Sequence, residues 1–465
     1  DRAAFVAALA RYPAILLNLN RILSQRLTRT TARNAMQSRR GEAIALLVDQ
    51  AGRAVAGEVV AATAATSPRG VVALDLAGLG LPGALAPDDR TVAGALALLD
   101  ELLPEYGTVL VAAGSEQEDV AALLAQVDRT VALVDATSTA GLAASGAQAL
   151  EVALLDGVPD DGDKVAGLPV VRAIRQTSHQ ADIAWLGRHL SRTKLGVALG
   201  AGGAKGYAHV ATVQVLAAAG YTVDYVSGSS IGALVGSWLA LGQDAATIER
   251  TMRAAFNPEA VAAMFKLSFS GLSTGLDVHT RVCRETTHDA AFADTHIPLI
   301  VMSVDLNTRQ PAPIAAGPIW EALLAATALP GLFPPHQLNG QRLVDALCLV
   351  PVPVAAVATA GADITLSVNL LSRDVLPAWP GQPPPPPTPT RPGVRMLDTL
   401  MEVMDLSQLD ASVRHAALAD VVVTPRFGPA NWREFDQADL FLAAGRAAAE
   451  AQLPALAALA RGVSA

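Results

Sequence analysis

Two adjacent serines, Ser229 and Ser230, stand between glycines in GSSIG (228–232) and are the strongest candidates for a nucleophile in this chain. A GxSxG turn exposes the hydroxyl of its central serine where a strand bends sharply into a helix. Ser230 holds that position, which leaves Ser229 as a turn residue. The surrounding VDYVSGSSIGALVGSWLAL supplies an apolar strand, a glycine turn and a helix in that order, with Gly228 and Gly232 allowing close approach. A second GxSxG, GLSTG (271–275), follows FKLSFS without a buried strand, so Ser273 reads as a loop residue. Taken alone, GSSIG also fits a helix start with serine as its N-cap.

A second glycine turn lies just upstream. LGVALGAGGAKGYAHVATVQVLAAAG (195–220) reads as strand, turn and helix. Backbone N–H groups at such a helix start stabilise an anion or an oxyanion. A dinucleotide fingerprint is the competing reading, and its spacing fails. The third glycine after Gly200 and Gly202 is due at 205, where Lys205 stands. The acid expected about 20 residues further on is displaced as well, because Asp224 opens the strand leading to Ser230. Successive strand–turn–helix units in a parallel sheet bring both turns to one carboxyl edge. One turn then offers oxyanion donors and the other a hydroxyl, an arrangement suited to acyl transfer.

Several residues could serve as the base. Asp345 closes QRLVD and reads equally as a solvated strand-end aspartate; Asp305 in SVDLNT fits a structural strand end better. Histidine is the usual partner of a catalytic serine. His209, three residues past Gly206, reads as a partly buried helix residue, and His336 follows the FPP run.

Four segments then occur in a telling order: AGGAKG (201–206), GSSIG (228–232), ATALPGLFPP (326–335) and LVDALCLVPVPV around Asp345. Over about 195–370 the chain resembles the patatin-like phospholipases, and more narrowly the bacterial relatives of neuropathy target esterase. ADIAWLGRHLSRTK (181–194) and the α/β layer before it also fit that branch. The resemblance implies a Ser–Asp dyad, with Ser230 attacking an ester and Asp345 taking its proton. Desolvation would raise the basicity of that carboxylate. It further implies an oxyanion hole from the N–H groups of Gly202, Gly203 and Ala204. Gly206, Gly228 and Gly232 would support the loops, and Lys205 would steady its loop or meet a phosphate. The implied substrate is a phospholipid or lysophospholipid at a membrane surface, with no cofactor and no metal. Two positions depart from the family pattern. Ala201 replaces the first loop glycine, and Ala346 and Leu347 replace the glycines usual after the aspartate. A Cβ restricts φ and would shift donor geometry, so the alternative is a catalytically weakened lipid- or effector-binding module.

The elements that must position these residues are α/β throughout. A three-layer α/β/α hydrolase domain is expected over 179–465, interrupted by the proline-rich loop PAWPGQPPPPPTPTRPGVR (377–395), an extended spacer. After it, MLDTLMEVMDL and 437–459 read as helical and DVVVTP as a strand. Before it, 41–178 alternates strand-like AIALLVD, GVVALDL, TVLVAAG and TVALVDA with helical RTVAGALALLDELL and EDVAALLAQV. That pattern is a Rossmann-like parallel layer. It contains neither GxxxxGK[ST] nor a GxGxxG after its first strand, so no nucleotide motif supports a binding role. Residues 1–40 are expected to hold an amphipathic helix with Phe5, Leu9, Leu16, Leu19, Leu23 and Leu27 on one stripe and basic residues from Arg21 to Arg40. It resembles the closing helix of a cyclic-nucleotide-binding domain, so cyclic nucleotide would enter only through a missing upstream domain. Its arginines suit a solvated helix end or anionic headgroups.

Composition narrows the classes further. A formal net charge of −9 argues against nucleic acid as a partner. Cys283 and Cys348 have no metal-ligand spacing and suit free thiols in a reducing cytoplasm. No apolar run reaches the ~18 residues of a membrane span, and no signal peptide is visible. A cytoplasmic location is expected, peripheral at the inner membrane face or fused to an upstream membrane domain, since the chain begins at Asp1.

Overall fold

The computed structural model describes residues 41–85, 91–114, 117, 119–138, 150–157, 164–165, 167–264, 275–371, 396–428 and 430–462. The helix expected within 1–40, Ser273 with most of the GLSTG loop, and the proline-rich 377–395 lie outside them. The chain forms two compact units that part between Asp182 and Ile183, with residues 65–68 belonging to the second.

In the first unit the strands are β1 (Glu42–Val48), β2 (Val71–Asp75), β3 (Thr108–Gly114), β4 (Arg129–Asp135), β5 (Leu150–Leu155), β6 (Lys164–Val165) and β7 (Leu168–Ile174). They form one sheet in the order β2-β3-β1-β4-β5-β7-β6. All neighbours are parallel except β6 with β7. β1, β3 and β4 are buried at nearly every consecutive position. That is the signature of a parallel sheet covered on both faces. Helices Gln50–Thr66, Val92–Leu102 and Val120–Gln126 join the first four strands.

The second unit holds β8 (Leu195–Leu199), β9 (Val223–Ser229), β10 (Leu299–Asp305), β11 (Gln310–Ile314), β12 (His336–Leu338), β13 (Gln341–Asp345), β14 (Ile364–Val368) and β15 (Val421–Val423). Their order is β12-β13-β10-β9-β8-β14-β15, with β11 also on β10. From β10 to β15 the pairs are parallel, whereas β13 meets β10 in antiparallel register. Strand alternation separates two cores. Leu195, Val197 and Leu199 join Tyr207, Trp238 and Phe441 in one cluster, while Ala198 joins Val354, Val357 and Ala416 in another. Helices therefore cover both faces, giving the expected three-layer α/β/α arrangement. Among the described residues no helix is long and apolar enough to cross a membrane.

The end of β1 bears on the nucleotide question. Asp49 follows β1; its Oδ1 accepts the Gly52 N–H at 2.7 Å and its Oδ2 accepts the Asp135 N–H at 3.0 Å. Gly52 lies in the first turn of helix Gln50–Thr66 and presses on β4, since a Cβ there would meet Leu133 O at 2.0 Å. In dinucleotide-binding layers a phosphate occupies that kind of helix N-terminus. Here the chain's own carboxylate takes the place of the anion. Millimolar ATP or NAD should therefore leave the melting temperature within about 1 °C of its ligand-free value, and a rise of several degrees would contradict this.

Candidate active site

β8 and β9 are adjacent and parallel, so the two glycine turns emerge at the same sheet edge. Ser230 joins β9 to helix Ile231–Ala240 with φ 54° and ψ −126°. A non-glycine residue at such angles costs about 1–3 kcal/mol and persists only where its surroundings over-determine it. Those surroundings are glycines that no other residue can replace. A Cβ on Gly228 would lie 2.3 Å from the Gly232 carbonyl carbon, one on Gly232 would lie 2.2 Å from Leu199 O, and one on Gly206 would lie 2.4 Å from Ile231 Cγ1. The helix start is thus pressed onto the end of β8. Ser230 Oγ, nearly buried, donates to Asp345 Oδ2 at 2.6 Å. Ser229 is the last residue of β9 rather than part of the turn, paired with Met302, and its hydroxyl donates to Val350 O at 2.7 Å.

Asp345 ends β13 and is wholly buried. Its backbone pairs with Ser303 on β10, and its N–H donates to Ala328 O at 3.1 Å. Its Oδ1 accepts the Leu347 N–H at 2.8 Å, so donors in the protein replace water around the carboxylate. The chain beyond it is pinned three times. Ser229 holds Val350 O, Ser227 Oγ donates to Pro353 O at 2.9 Å, and the Ala201 N–H donates to Pro351 O at 2.9 Å. Segment 350–353 thereby ties together the aspartate, the serine elbow and the start of the glycine loop.

In that loop a Cβ on Gly202 would lie 2.7 Å from Leu370 Cβ, and one on Gly203, at φ 58°, would lie 2.4 Å from Trp432 O. The Gly202 and Gly203 N–H groups donate to no described residue. Ala204 differs: its N–H already donates to Trp432 O at 2.6 Å. It is therefore not a third free oxyanion donor, which corrects the expectation from sequence. The Ile231 N–H, first in the helix after Ser230, also has no acceptor among the described residues. The residue after the nucleophile of an elbow often supplies an oxyanion donor, so GSSIG itself held that signal. Lys205 Nζ stands 5.7 Å from the Phe427 ring centroid, and Gly206 closes the turn. Ala201 and Ala346 both keep negative φ. The Ala201 methyl packs with Leu332, Phe333, Leu347, Leu371 and Trp432, and Ala346 is buried in a short turn. Neither alanine meets the conformational demand that would require glycine.

The rival bases are engaged elsewhere. His209 is buried with Nε2 2.7 Å from Gly200 O, and burial pushes its pKa down to about 4. Asp305 accepts from the Asn307 and Arg342 N–H groups and from Thr308 Oγ1, a strand-end turn whose Asn307 bond holds its carboxyl below the usual range. His336 opens β12, half-buried. Asp224 receives Arg188 in three bonds and the Leu195 N–H, so it too is structural. Sequence reasoning missed a buried pair next to Ala328, whose carbonyl accepts the Asp345 N–H. Thr327 donates to Leu323 O, so its oxygen accepts from His279 Nε2 at 2.7 Å. His279 stacks on Phe333 at 4.9 Å, and burial lowers its pKa to about 4. Among the described residues no group of three or more His, Cys, Asp or Glu side chains could hold a metal ion.

Residues 197–358 match the family model described as patatin-like phospholipase. An uncharacterised NTE family protein of Mycobacterium tuberculosis is 30% identical over 203 residues, which is 42% of this chain and 54% of that protein. A second one from the same organism is 29% identical over 290 residues, 58% of this chain and 48% of that protein. Lysophospholipase nte1 of Emericella nidulans is 29% identical over 205 residues, 43% of this chain and 13% of the fungal protein. VipD of Legionella pneumophila aligns with 56% of this chain and 67% of its own at 14% identity and a TM-score of 0.32. Over residues 197–358 the chain is thus similar to the patatin-like phospholipases. It is also similar to NTE family proteins, and it spans about half the length of the mycobacterial relatives it matches.

Two buried histidines set a pH dependence of stability. His209 and His279 titrate near 4 in the folded chain against an ordinary 6.5. Their contribution is complete above pH 6.5 and declines as the pH falls toward 4, because only the unfolded chain takes up the protons. Each should weaken the fold by up to about 1.4 kcal/mol per pH unit across that window. The urea midpoint of the second unit should fall steadily between pH 6.5 and 4.5; an unchanged midpoint would contradict these assignments.

Proposed function

We propose that the second unit is a serine hydrolase of lipid acyl esters, of the lysophospholipase or phospholipase A class. The observation that carries this reading is the 2.6 Å hydrogen bond from Ser230 Oγ, on its strained elbow, to the buried carboxylate of Asp345. Ser230 attacks the ester carbonyl as its proton passes to Asp345 Oδ2. Oδ1 stays anchored by the Leu347 N–H, so the carboxylate keeps its orientation through the transfer. Negative charge on the carbonyl oxygen is met by the Gly202 and Gly203 N–H groups and by the start of helix Ile231–Ala240. One such donor is worth about 3–4 kcal/mol in the transition state. Asp345 then returns the proton to the departing alcohol oxygen, leaving an acyl-enzyme. A water molecule, deprotonated by the same carboxylate, cleaves that ester, releasing a fatty acid and restoring the Ser230 hydroxyl.

The lipid class is supported by the surroundings of the loop. Ala201, Leu332, Phe333 and Leu347 form an apolar cluster against which the partly exposed Leu276, Leu329 and Met404 pack. The fungal relatives carry the name lysophospholipase. A membrane surface would deliver such a substrate. The alternative, a weakened lipid- or effector-binding module, rests on Ala201, Ala346 and Leu347; the negative φ of all three supports the hydrolase reading over it.

Ser230→Ala and Asp345→Asn should each lower kcat on lysophosphatidylcholine or a p-nitrophenyl acyl ester by about 10³-fold or more, with thermal unfolding retained. Asparagine keeps an oxygen for the serine hydroxyl but cannot take its proton. Either variant retaining more than about a tenth of wild-type kcat would exclude this dyad.

A further inference from the structure

Gly200 follows β8, and its peptide bond with Ala201 opens the loop that carries Gly202 and Gly203. That peptide is held from both sides. Its carbonyl lies 2.7 Å from His209 Nε2, and its N–H, belonging to Ala201, donates to Pro351 O at 2.9 Å. A peptide group is planar with its C=O and N–H pointing oppositely, so two fixed partners set its rotation. The same carbonyl borders the serine elbow, since a Cβ on Gly232 would lie 2.8 Å from it.

His209 is an unusual occupant of its position. It is fully buried, and its Nδ1 has no hydrogen-bond partner. A carbonyl only accepts, so the ring carries its hydrogen on Nε2 and leaves Nδ1 bare. A buried, unsatisfied nitrogen costs stability and calls for a compensating role. Alanine and valine fill much of the rest of this helix, YAHVATVQVLAA, so an apolar residue would pack there without that cost.

We propose that His209 is a positioning residue for acyl transfer: by clamping the Gly200 carbonyl it sets the direction in which the Gly202 and Gly203 N–H groups face. The inference rests on the Ser230 hydrolase reading. It assigns no proton transfer to the imidazole, which stays neutral and donates one bond to the backbone. Losing it should let the Gly200–Ala201 peptide rotate about its remaining anchor at Pro351.

The test compares His209→Leu, which keeps apolar bulk without a donor, with His209→Gln, which keeps an N–H. Steady-state kinetics on a p-nitrophenyl acyl ester should show His209→Leu losing about 100-fold in kcat with KM within about 3-fold, the size of loss seen when an oxyanion donor is misplaced. His209→Gln should recover to within about 10-fold of wild type. Nitrogen NMR of the wild-type ring should show Nε2 protonated and Nδ1 bare. A His209→Leu kcat within about 3-fold of wild type, or equal losses in both variants, would overturn the proposal. If the leucine variant does not fold, the glutamine variant and the tautomer decide: a ring protonated on Nδ1 overturns it. Wild-type protein without any esterase activity would instead refute the hydrolase reading beneath it.

Discussion

The second unit depends on one hydrogen bond between residues 115 positions apart, from Ser230 Oγ to Asp345 Oδ2. Its two ends arrive by different routes. Ser230 comes from the parallel part of the sheet, where β9 runs beside β8, whereas Asp345 comes from β13, which meets β10 antiparallel. The sheet therefore changes direction across β10, so that a strand returning from the opposite sense delivers a carboxylate to the edge where the hydroxyl emerges. β13 enters at the carboxyl end of β10, with Leu343 beside Asp305, and runs inward to set Asp345 beside Ser303, one residue past the Met302 that pairs with Ser229.

Holding that bond requires a backbone that would not stay in place unaided. Ser230 has a positive φ, and at Gly228, Gly232 and Gly206 an added Cβ would lie only 2.2–2.4 Å from its neighbours. The compensation is distributed. Ser227, Ser229 and the Ala201 N–H all grip the 350–353 segment, and Ala328 O grips the Asp345 N–H. Strain at Ser230 and saturation of hydrogen bonds around it are two sides of one arrangement. The two loop amides left without acceptors stand out against that saturation, which is why they suit an incoming oxyanion.

Much of this was legible in the sequence because local chemistry agreed with the global fold. Runs such as TVLVAAG and TVALVDA became buried parallel strands, and LGVALGAGGAKGYAHV became strand, turn and helix. Ser230 stood out because few residue types fit an elbow. What stayed hidden depended on contacts between distant segments. Nothing near Ala204 announces that Trp432, more than 200 residues later, takes its N–H. The turn of the Ser229 hydroxyl toward Val350, the His279–Thr327 pair and the orphaned Nδ1 of His209 are equally products of packing. Ala201 and Ala346 show the converse. Read as departures from a motif they suggested damage, yet their negative φ shows that the local backbone never needed glycine.

The proposed dyad makes Ser230 a nucleophile through Asp345. The most direct measurement is mass spectrometry of the protein after reaction with an acyl-like fluorophosphonate, followed by peptide mapping. One adduct per chain should appear, on the peptide containing Ser230, and labelling should slow markedly when Asp345 is replaced by asparagine. An adduct on Ser273 or another residue, or no adduct on protein shown to be folded, would contradict the account.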